Sequence, residues 1–187
     1  MNVVISDLSS RALYAKGQYS VPSDTACYPA KLMHGHIENL LDQGVDTIFY
    51  PCMSYNFDEQ KGDNHFNCPV VAYYPELLAS NVEKLKSVRY LYPYLNLSAQ
   101  KTFPKKVWEA LRDYYPDLTL KEVKQASENA YNRYHAQRME IKEKGKEALE
   151  FAREHGLKTI ILCGRPYHVD PEINHGINQL ITSLGLV

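Results

Sequence analysis

This sequence lacks an excess of either positive or negative charge, long hydrophobic runs and a recognisable leader segment. Lysines and arginines number 21 against 22 aspartates and glutamates, a net charge of −1, whereas a protein that binds nucleic acid needs a basic excess. The longest apolar runs, such as TIIL at 159–162, are strand-sized and too short to span a bilayer. The N-terminal MNVVISD has neither the basic nor the long apolar region of a signal peptide. We therefore expect a cytoplasmic protein that binds neither nucleic acid nor membrane.

Cysteine is scarce, and no two cysteines form a CxxC pair: the sequence has four, of which three fall between Cys27 and Cys68. In a reducing compartment such cysteines serve as metal ligands, catalytic groups or buried thiols rather than in disulfides. The glycine-rich loops that bind nucleotides and the nucleophile elbow of hydrolases are absent as well.

What the sequence does contain is an alternation of strand and helix patterns, which is typical of an α/β fold with a parallel, doubly wound sheet. The predicted strands are 3–6, 47–50, 69–73 and 158–162, with an extended, tyrosine-rich segment at 88–97. The predicted helices are 9–16, a segment from Asp24 or Thr25 to Gly44, 105–115, a long helix from the capping box Thr119–Glu122 to about His155, and 172–184. Five Tyr-Pro pairs indicate places where an element stops and the chain turns.

These elements suggest three parts. Residues 1–100 form a first α/β lobe, 101–156 a helical connector, and 157–187 the beginning of a second α/β lobe. The chain starts on a strand-like segment and stops at LGLV, where an apolar strand would begin. We therefore expect a fragment of a longer protein, truncated within both lobes.

Cys27, Cys52 and Cys68 are the candidate metal ligands. Cys27 opens a predicted helix, Cys52 closes a predicted strand, and Cys68 precedes the next one. Ligands converge at such element ends in α/β sheets, and three cysteines can hold a 4Fe–4S cluster if a fourth ligand completes it. Small buried thiols also behave as hydrophobic residues, so a structural role for each stays open.

Zinc is the competing metal. The same three cysteines with His65 or His36 would make a Cys3His set, although only His65 and Cys68 have the close spacing typical of structural zinc sites. His34 and His36 point to different sides of the predicted helix, and helical spacing places His36 rather than His34 on its apolar face.

Two cations are candidates for binding an anionic cofactor or substrate. Lys31 lies one turn after Cys27, where a helix start already favours anions. Arg165 lies in the loop GRPYH between a predicted strand and helix, where it could face a phosphate or a carboxylate. The alternatives are a solvated lysine and an arginine that pairs with Asp170.

The runs CYPAKLMHGHI, GVDTIFYPC, NHFNCPVVAYYPE and GRPYHVDPEINHGI resemble the uncharacterised domain of CoA-substrate-specific enzyme activases, the large activator-type proteins of 2-hydroxyglutaryl-CoA dehydratase. That domain is similar in turn to the iron–sulfur subunits of 2-hydroxyacyl-CoA dehydratases and benzoyl-CoA reductases. The resemblance implies two Rossmann-like, three-layer lobes with a 4Fe–4S-type cluster between them. Cys27 and Cys52 match the first two cluster cysteines of those subunits, and the third ligand would be Cys68 or a residue beyond Val187.

The resemblance also implies partners and a role. The partners would be ATP-dependent activase domains, in the same or a partner chain, and an acyl-CoA substrate. The role would be low-potential electron transfer in 2-hydroxyacyl-CoA dehydration or a related reduction in anaerobic metabolism, as a component that is inactive alone. A scaffold that docks activase domains and a structural zinc domain are the alternatives.

Overall fold

The computed structural model describes residues 2–187 and shows a mixed α/β protein. Its elements, in chain order, are α1 (Arg11–Gly17), α2 (Tyr28–Asp42), β1 (Thr47–Phe49), β2 (Cys52–Tyr55), α3 (Pro69–Asn81), β3 (Arg89–Leu91), β4 (Tyr94–Asn96), α4 (Phe103–Leu111), α5 (Leu120–Glu154), α6 (Pro171–Asn174) and α7 (Ile177–Ser183). The chain divides into two compact units, Met1–Ser127 (unit 1) and Glu128–Val187 (unit 2). The division predicted at residues 100 and 156 stays a prediction. No helix within 2–187 is long and apolar enough to cross a membrane.

The four strands form two small parallel sheets of two strands each, and the second follows the first after a short interruption. β1 pairs with β3, and β2 with β4, and the partners 47↔89, 48↔90 and 52↔94 all differ by 42 positions. Tyr50-Pro51 therefore lies opposite Tyr92-Pro93. Backbone hydrogen bonds continue across the gap, from Tyr50 N to Leu91 O and from Cys52 N to Pro93 O, both 2.9 Å. The prolines, which have no N–H to donate, interrupt the pairing without changing its register. The register shifts by one residue only later, between Met53 and Tyr55, where Tyr55 pairs with Asn96.

The extended segment predicted at 88–97 is confirmed as β3 and β4. Pro93 falls at its interruption, as expected of a residue without a backbone donor. The segment lies beside β1 and β2 throughout, so its tyrosines flank the strand that leads to Cys52.

The strand predicted at 69–73 is wrong, because these residues form the first turns of α3. Cys68 is the N-cap, and Pro69 occupies the first helical position, where a missing N–H does no harm. Tyr74 and Leu78, four residues apart, then lie buried on one face. The β-branched pair at 70–71 favours a strand only weakly, and packing of the helix overrides that preference.

Two other predicted strands are not formed among the described residues. Residues 3–6 have no strand assignment, and the segment that follows is bonded to α2, with Asp7 N donating to Asn39 Oδ1 (2.9 Å). Residues 158–162 also lack strand assignment. Their start is nevertheless bonded to the chain end in the pattern of parallel strands: Ile160 N donates to Val187 O (2.7 Å), and Val187 N to Lys158 O (3.0 Å).

Several helix ends follow their local sequence signals. In the capping box, Glu122 N donates to Thr119 Oγ1 (3.2 Å) and Thr119 N donates to Glu122 Oε2 (2.9 Å), which confirms the predicted start of α5. Gly44 and Gly156 follow α2 and α5 with φ of 74° and 63°, in the left-handed region that favours glycine. The predicted helix 172–184 is instead split at His175 and Gly176, whose φ values are 53° and 75°.

The backbones of α1 and α2 meet at two glycines. A Cβ added to Gly17 would lie 2.2 Å from Gly35 N, and one added to Gly35 would lie 2.1 Å from Leu13 O. Both contacts are with backbone atoms, so a side chain at either position would push the helices apart. Gly17 itself has φ −96°, so it does not form the left-handed turn that often ends a helix. Glycine is needed there because the two backbones approach closely.

This packing buries His34, which the helical pattern had placed off the apolar face. His34 is fully buried, with Nδ1 2.7 Å from Ser20 Oγ and Nε2 2.9 Å from Tyr74 Oη. The Ser20 hydroxyl donates to Gly17 O, so it accepts from Nδ1–H, and Tyr74 donates to Nε2. The neutral ring thus connects α2 to α3, above the core cluster of Ala30, Ile37, Ile48, Tyr74, Leu78, Val82 and Leu85.

We predict that Gly35→Ala destabilises unit 1 by about 1–3 kcal/mol or more, because the new methyl group overlaps a backbone carbonyl. The measurement is the free energy of unfolding from urea denaturation. Gly145→Ala is the matched control, since a Cβ there meets nothing within 4 Å in the middle of α5. That change should stabilise the helix by roughly 0.5–1 kcal/mol. Equal unfolding free energies for the two variants would contradict the close helix contact.

His34 should make the protein acid-sensitive. Burial lowers its pKa from 6.5 to about 4, outweighing the opposite effect of Glu38. Above pH 6.5 the ring is neutral in both states; as the pH falls from 6.5 to 4 only the unfolded state gains the proton, so stability is lost. The expected loss from this group is about 3 kcal/mol. NMR titration should find His34 neutral until about pH 4, and unfolding free energies of His34→Asn should lack this component. A His34 pKa near 6.5 would refute it.

Candidate functional site

Cys27 is the most accessible of the three candidate ligands. It is exposed and is the N-cap of α2, and its side chain makes no capping hydrogen bond. The helix start predicted at Asp24 or Thr25 is wrong by two to three residues, although Cys27 does lie at the helix start. Backbone N–H groups without helical partners surround this position and favour negative charge. Its charge also contributes, after burial, to raising the pKa of Tyr74 to about 12. The thiol therefore lies near the buried His34–Tyr74 pair.

Cys68 has the same local structure as Cys27, which the sequence did not suggest. It caps α3 with φ −63° and ψ 155°, against −63° and 149° at Cys27, again without a side-chain capping bond. It is half-buried, and its neighbour Asn67 is bonded to β2 through Asn67 N to Ser54 O (2.9 Å). The expectation that Cys68 precedes a strand is wrong for the reason that residues 69–73 are helical.

Cys52 is in a different environment. It begins β2 rather than closing a strand, and it is fully buried. Burial, aided by the charge of Glu76, raises the pKa of its thiol, although hydrogen bonds from the Glu76 backbone and from Tyr94 act in the opposite direction. Since the thiolate is the form that binds metals, ligation by Cys52 would first have to overcome this burial.

These cysteines are not assembled into one metal site. Among residues 2–187 no three His, Cys, Asp or Glu side chains are grouped so that they could hold a metal ion. The histidines of the zinc alternative have other contacts: His36 lies 2.8 Å from Ser6 Oγ through Nδ1, and His65 Nε2 lies 3.3 Å from Asp58. The described residues thus do not fit a complete cluster by themselves.

Sequence reasoning missed the tyrosines that surround Cys52. Burial raises the pKa of Tyr50 to about 12, and the pKa of Tyr90 is raised above its ordinary value for the same reason, with Cys52 contributing to both. Tyr94 also has a raised pKa, mainly through its hydrogen bond to Glu76. From sequence alone the Tyr-Pro pairs indicate only turns. The sequence contains no clear signal that Tyr50-Pro51 and Tyr92-Pro93, 42 residues apart, lie opposite each other.

Lys31 and Arg165 have separate surroundings. Lys31 Nζ donates to Asp24 O at 2.7 Å, which fastens the loop before α2. Arg165 lines a cavity of about 560 Å³ in unit 2. The alternative pairing with Asp170 does not form within the described part of the chain. That carboxylate caps α6, with Oδ1 accepting from Glu172 N (3.0 Å) and Ile173 N (3.2 Å). Anion binding by either cation remains a prediction.

We predict a clear order of thiol reactivity in the native protein. Alkylation with iodoacetamide, followed by mass spectrometry, should modify the exposed Cys27 and Cys163 quickly and Cys52 slowly, because Cys52 is buried with a raised pKa. In urea all four should react at similar rates, which serves as the control. Rapid native modification of Cys52 would show that its thiol is more accessible than the structure indicates.

Comparison with known proteins gives one match. The family model described as the CoA enzyme activase uncharacterised domain covers residues 1–187. No curated protein and no solved structure matches the chain. Because the family model spans the whole chain, the resemblance seen in the four sequence runs is confirmed. This chain belongs to the family of CoA enzyme activase uncharacterised domains.

Proposed function

We propose that this activase domain contributes cysteine thiolates, with Cys27 foremost, to an iron–sulfur cluster whose remaining ligands come from outside residues 2–187. The observation that carries the proposal is the exposed Cys27 side chain at the start of the 15-residue helix α2, where it makes no capping hydrogen bond. A helix start favours an anionic ligand, and the thiolate is the form that binds iron.

Cys68 is the second candidate ligand in this proposal and Cys52 the third, as single candidates and not as a set of three, because no three such side chains are grouped among residues 2–187. Cys68 repeats the helix-start position of Cys27 and is partly accessible. Cys52 ranks last because of its burial and raised pKa. This reverses the order of Cys52 and Cys68 that the sequence suggested. Lys31, one turn into α2, would offset the negative charge of the bound thiolates.

A bound cluster would supply low-potential electron transfer. In this proposal the domain stands between ATP-driven activase domains and an enzyme that acts on a 2-hydroxyacyl-CoA thioester, such as 2-hydroxyglutaryl-CoA. The parallel strands β1–β4 would belong to a Rossmann-like, three-layer lobe. The bonds of Val187 to Lys158 and Ile160 support a second lobe that begins in unit 2.

A docking domain is the second candidate, and the N-terminal segment favours it. Val3, Ile5 and Leu8 are 80%, 81% and 82% exposed. Three large apolar side chains within six residues are costly to leave in water, and such clusters are typical of surfaces that bind another protein. In that case the domain would hold activase domains against a dehydratase without any metal.

The deciding experiment is iron and sulfide analysis of the whole activase protein that carries this domain, purified without oxygen. The proposal predicts iron with acid-labile sulfide in the wild type and a loss of most of it in Cys27→Ser. Cys163→Ser is the matched control, since Cys163 is an exposed cysteine of unit 2 outside the proposed ligands, and it should retain the cluster.

Other outcomes separate the alternatives. Zinc in place of iron would identify the structural zinc site. Metal-free protein after anaerobic reconstitution, with partner binding unchanged in Cys27→Ser, would refute the cluster and support the docking domain. Equal iron loss in the Cys27 and Cys163 variants would remove the assignment of Cys27.

A further inference from the structure

The cavity of unit 2 is lined by one arginine, Arg165, which forms no ion pair among residues 2–187. Its volume is about 560 Å³, and Arg165 is the charged residue that lines it; none of the described lining residues is acidic. Arg165 forms no ion pair with any residue from 2 to 187, and Asp170, the acidic residue near it in the chain, caps α6 through Oδ1. An arginine that faces a cavity without a carboxylate leaves its guanidinium donors available for a ligand.

The loop that carries Arg165 is held in one conformation by His168. Arg165 N donates to His168 Nδ1 (2.8 Å), and His168 N donates to Arg165 O (2.9 Å). A Cβ on Gly164 would lie 2.5 Å from Nδ1, so only glycine leaves space for the ring. Asn174 Nδ2 donates to His168 O (3.1 Å), which attaches the loop to α6. The cavity wall is therefore ordered by its own hydrogen bonds before any ligand arrives.

This bonding also determines which donor the histidine presents. Because Nδ1 accepts from the Arg165 amide, the proton of the neutral ring lies on Nε2. Asn178 and Gln179 line the same cavity and add amide donors. One guanidinium, one imidazole N–H and two amides, with no carboxylate to oppose them, match the several oxygens of a phosphate group.

The remaining wall is apolar and open to solvent. Val169 and Leu162 line the cavity and are 86% and 52% exposed, and Pro166 lies between the two in the chain. Apolar side chains beside a cation suit an amphipathic ligand with a charged head and an organic body. The loop also follows the extended segment at 158–162 and precedes α6, the position at which open α/β sheets bind ligands.

We propose that the Arg165 cavity binds a phosphate group, either free or as part of an organic phosphate ester. Arg165 would contact the phosphate oxygens, His168 Nε2 and the amides would complete their hydrogen bonds, and the apolar wall would contact an ester's organic part. This site uses no cysteine and lies wholly within unit 2, so it stands or falls independently of the proposed metal ligands.

The test is calorimetric titration of the full 187-residue chain with inorganic phosphate, adenosine monophosphate, adenosine and acetate. We expect saturable binding of both phosphates and none of adenosine. Tighter binding of the monophosphate would identify an ester as the ligand, and equal binding would identify free phosphate. Acetate that competes as well as phosphate, or no saturable binding at all, would overturn the proposal.

Substitutions test whether Arg165 is the residue that binds phosphate. Arg165→Gln should weaken phosphate binding about ten- to hundredfold, as expected for the loss of charge-assisted hydrogen bonds. Arg165→Lys keeps the charge but loses the planar guanidinium group with its paired donors, so its affinity for phosphate should lie between those of the wild type and Arg165→Gln. Arg153→Gln is the matched control: an exposed arginine of α5 in the same unit, outside the cavity, with the same change in charge. If Arg153→Gln weakens binding as much as Arg165→Gln, the effect is that of net charge and the site is refuted. Circular dichroism verifies that each variant is folded.

Discussion

Unit 1 depends on the contact between the backbones of α1 and α2. Only two glycines allow it, since a Cβ on either would lie within 2.2 Å of a backbone atom of the other helix. The contact brings the turn after α1 close enough for Ser20 to bond His34, and His34 in turn bonds Tyr74 of α3. A steric condition at two positions thus fixes a polar connection between two helices. Those helices are the ones whose N-caps are Cys27 and Cys68.

The same connection explains why a histidine can be buried at all. An unsatisfied ring nitrogen in the interior would cost roughly 1–3 kcal/mol, and here both nitrogens have partners. The ring must nevertheless stay neutral, because burial disfavours its charged form. Nothing at this site requires a ligand, so His34 is a structural residue. Its bond to Tyr74 connects α2, the helix that Cys27 caps, to α3.

Several local features of the fold could be predicted from sequence, whereas the strands predicted at 3–6, 69–73 and 158–162 were not formed. The capping box of α5 and the glycines after α2 and α5 depend on neighbours in the chain, and they were read correctly. The error at 69–73 came from β-branched residues whose weak strand preference is overridden by packing of α3. Cys68 was consequently placed before a strand. Two features that depend on contacts between distant segments could not be predicted: the opposed Tyr-Pro pairs and the burial of His34.

The candidate site shows the same division between local and distant information. Sequence could place Cys27 at a helix start, because a cap is a local feature. It ranked Cys52 beside it because a strand end is normally an accessible position in α/β proteins. In the folded chain Tyr50-Pro51 interrupts the pairing for two residues only, and Cys52 then starts a second strand in the interior.

The consequence concerns how this domain could bind a metal. A buried thiol with a raised pKa contributes to packing and resists becoming a thiolate. Of the two thiols at helix starts, Cys27 is exposed and Cys68 is half-buried. A cluster built on this chain would therefore be bound at its surface, where a second protein surface can supply further thiolates, rather than enclosed within unit 1. Burial, more than cysteine spacing, decides which thiols could serve as ligands.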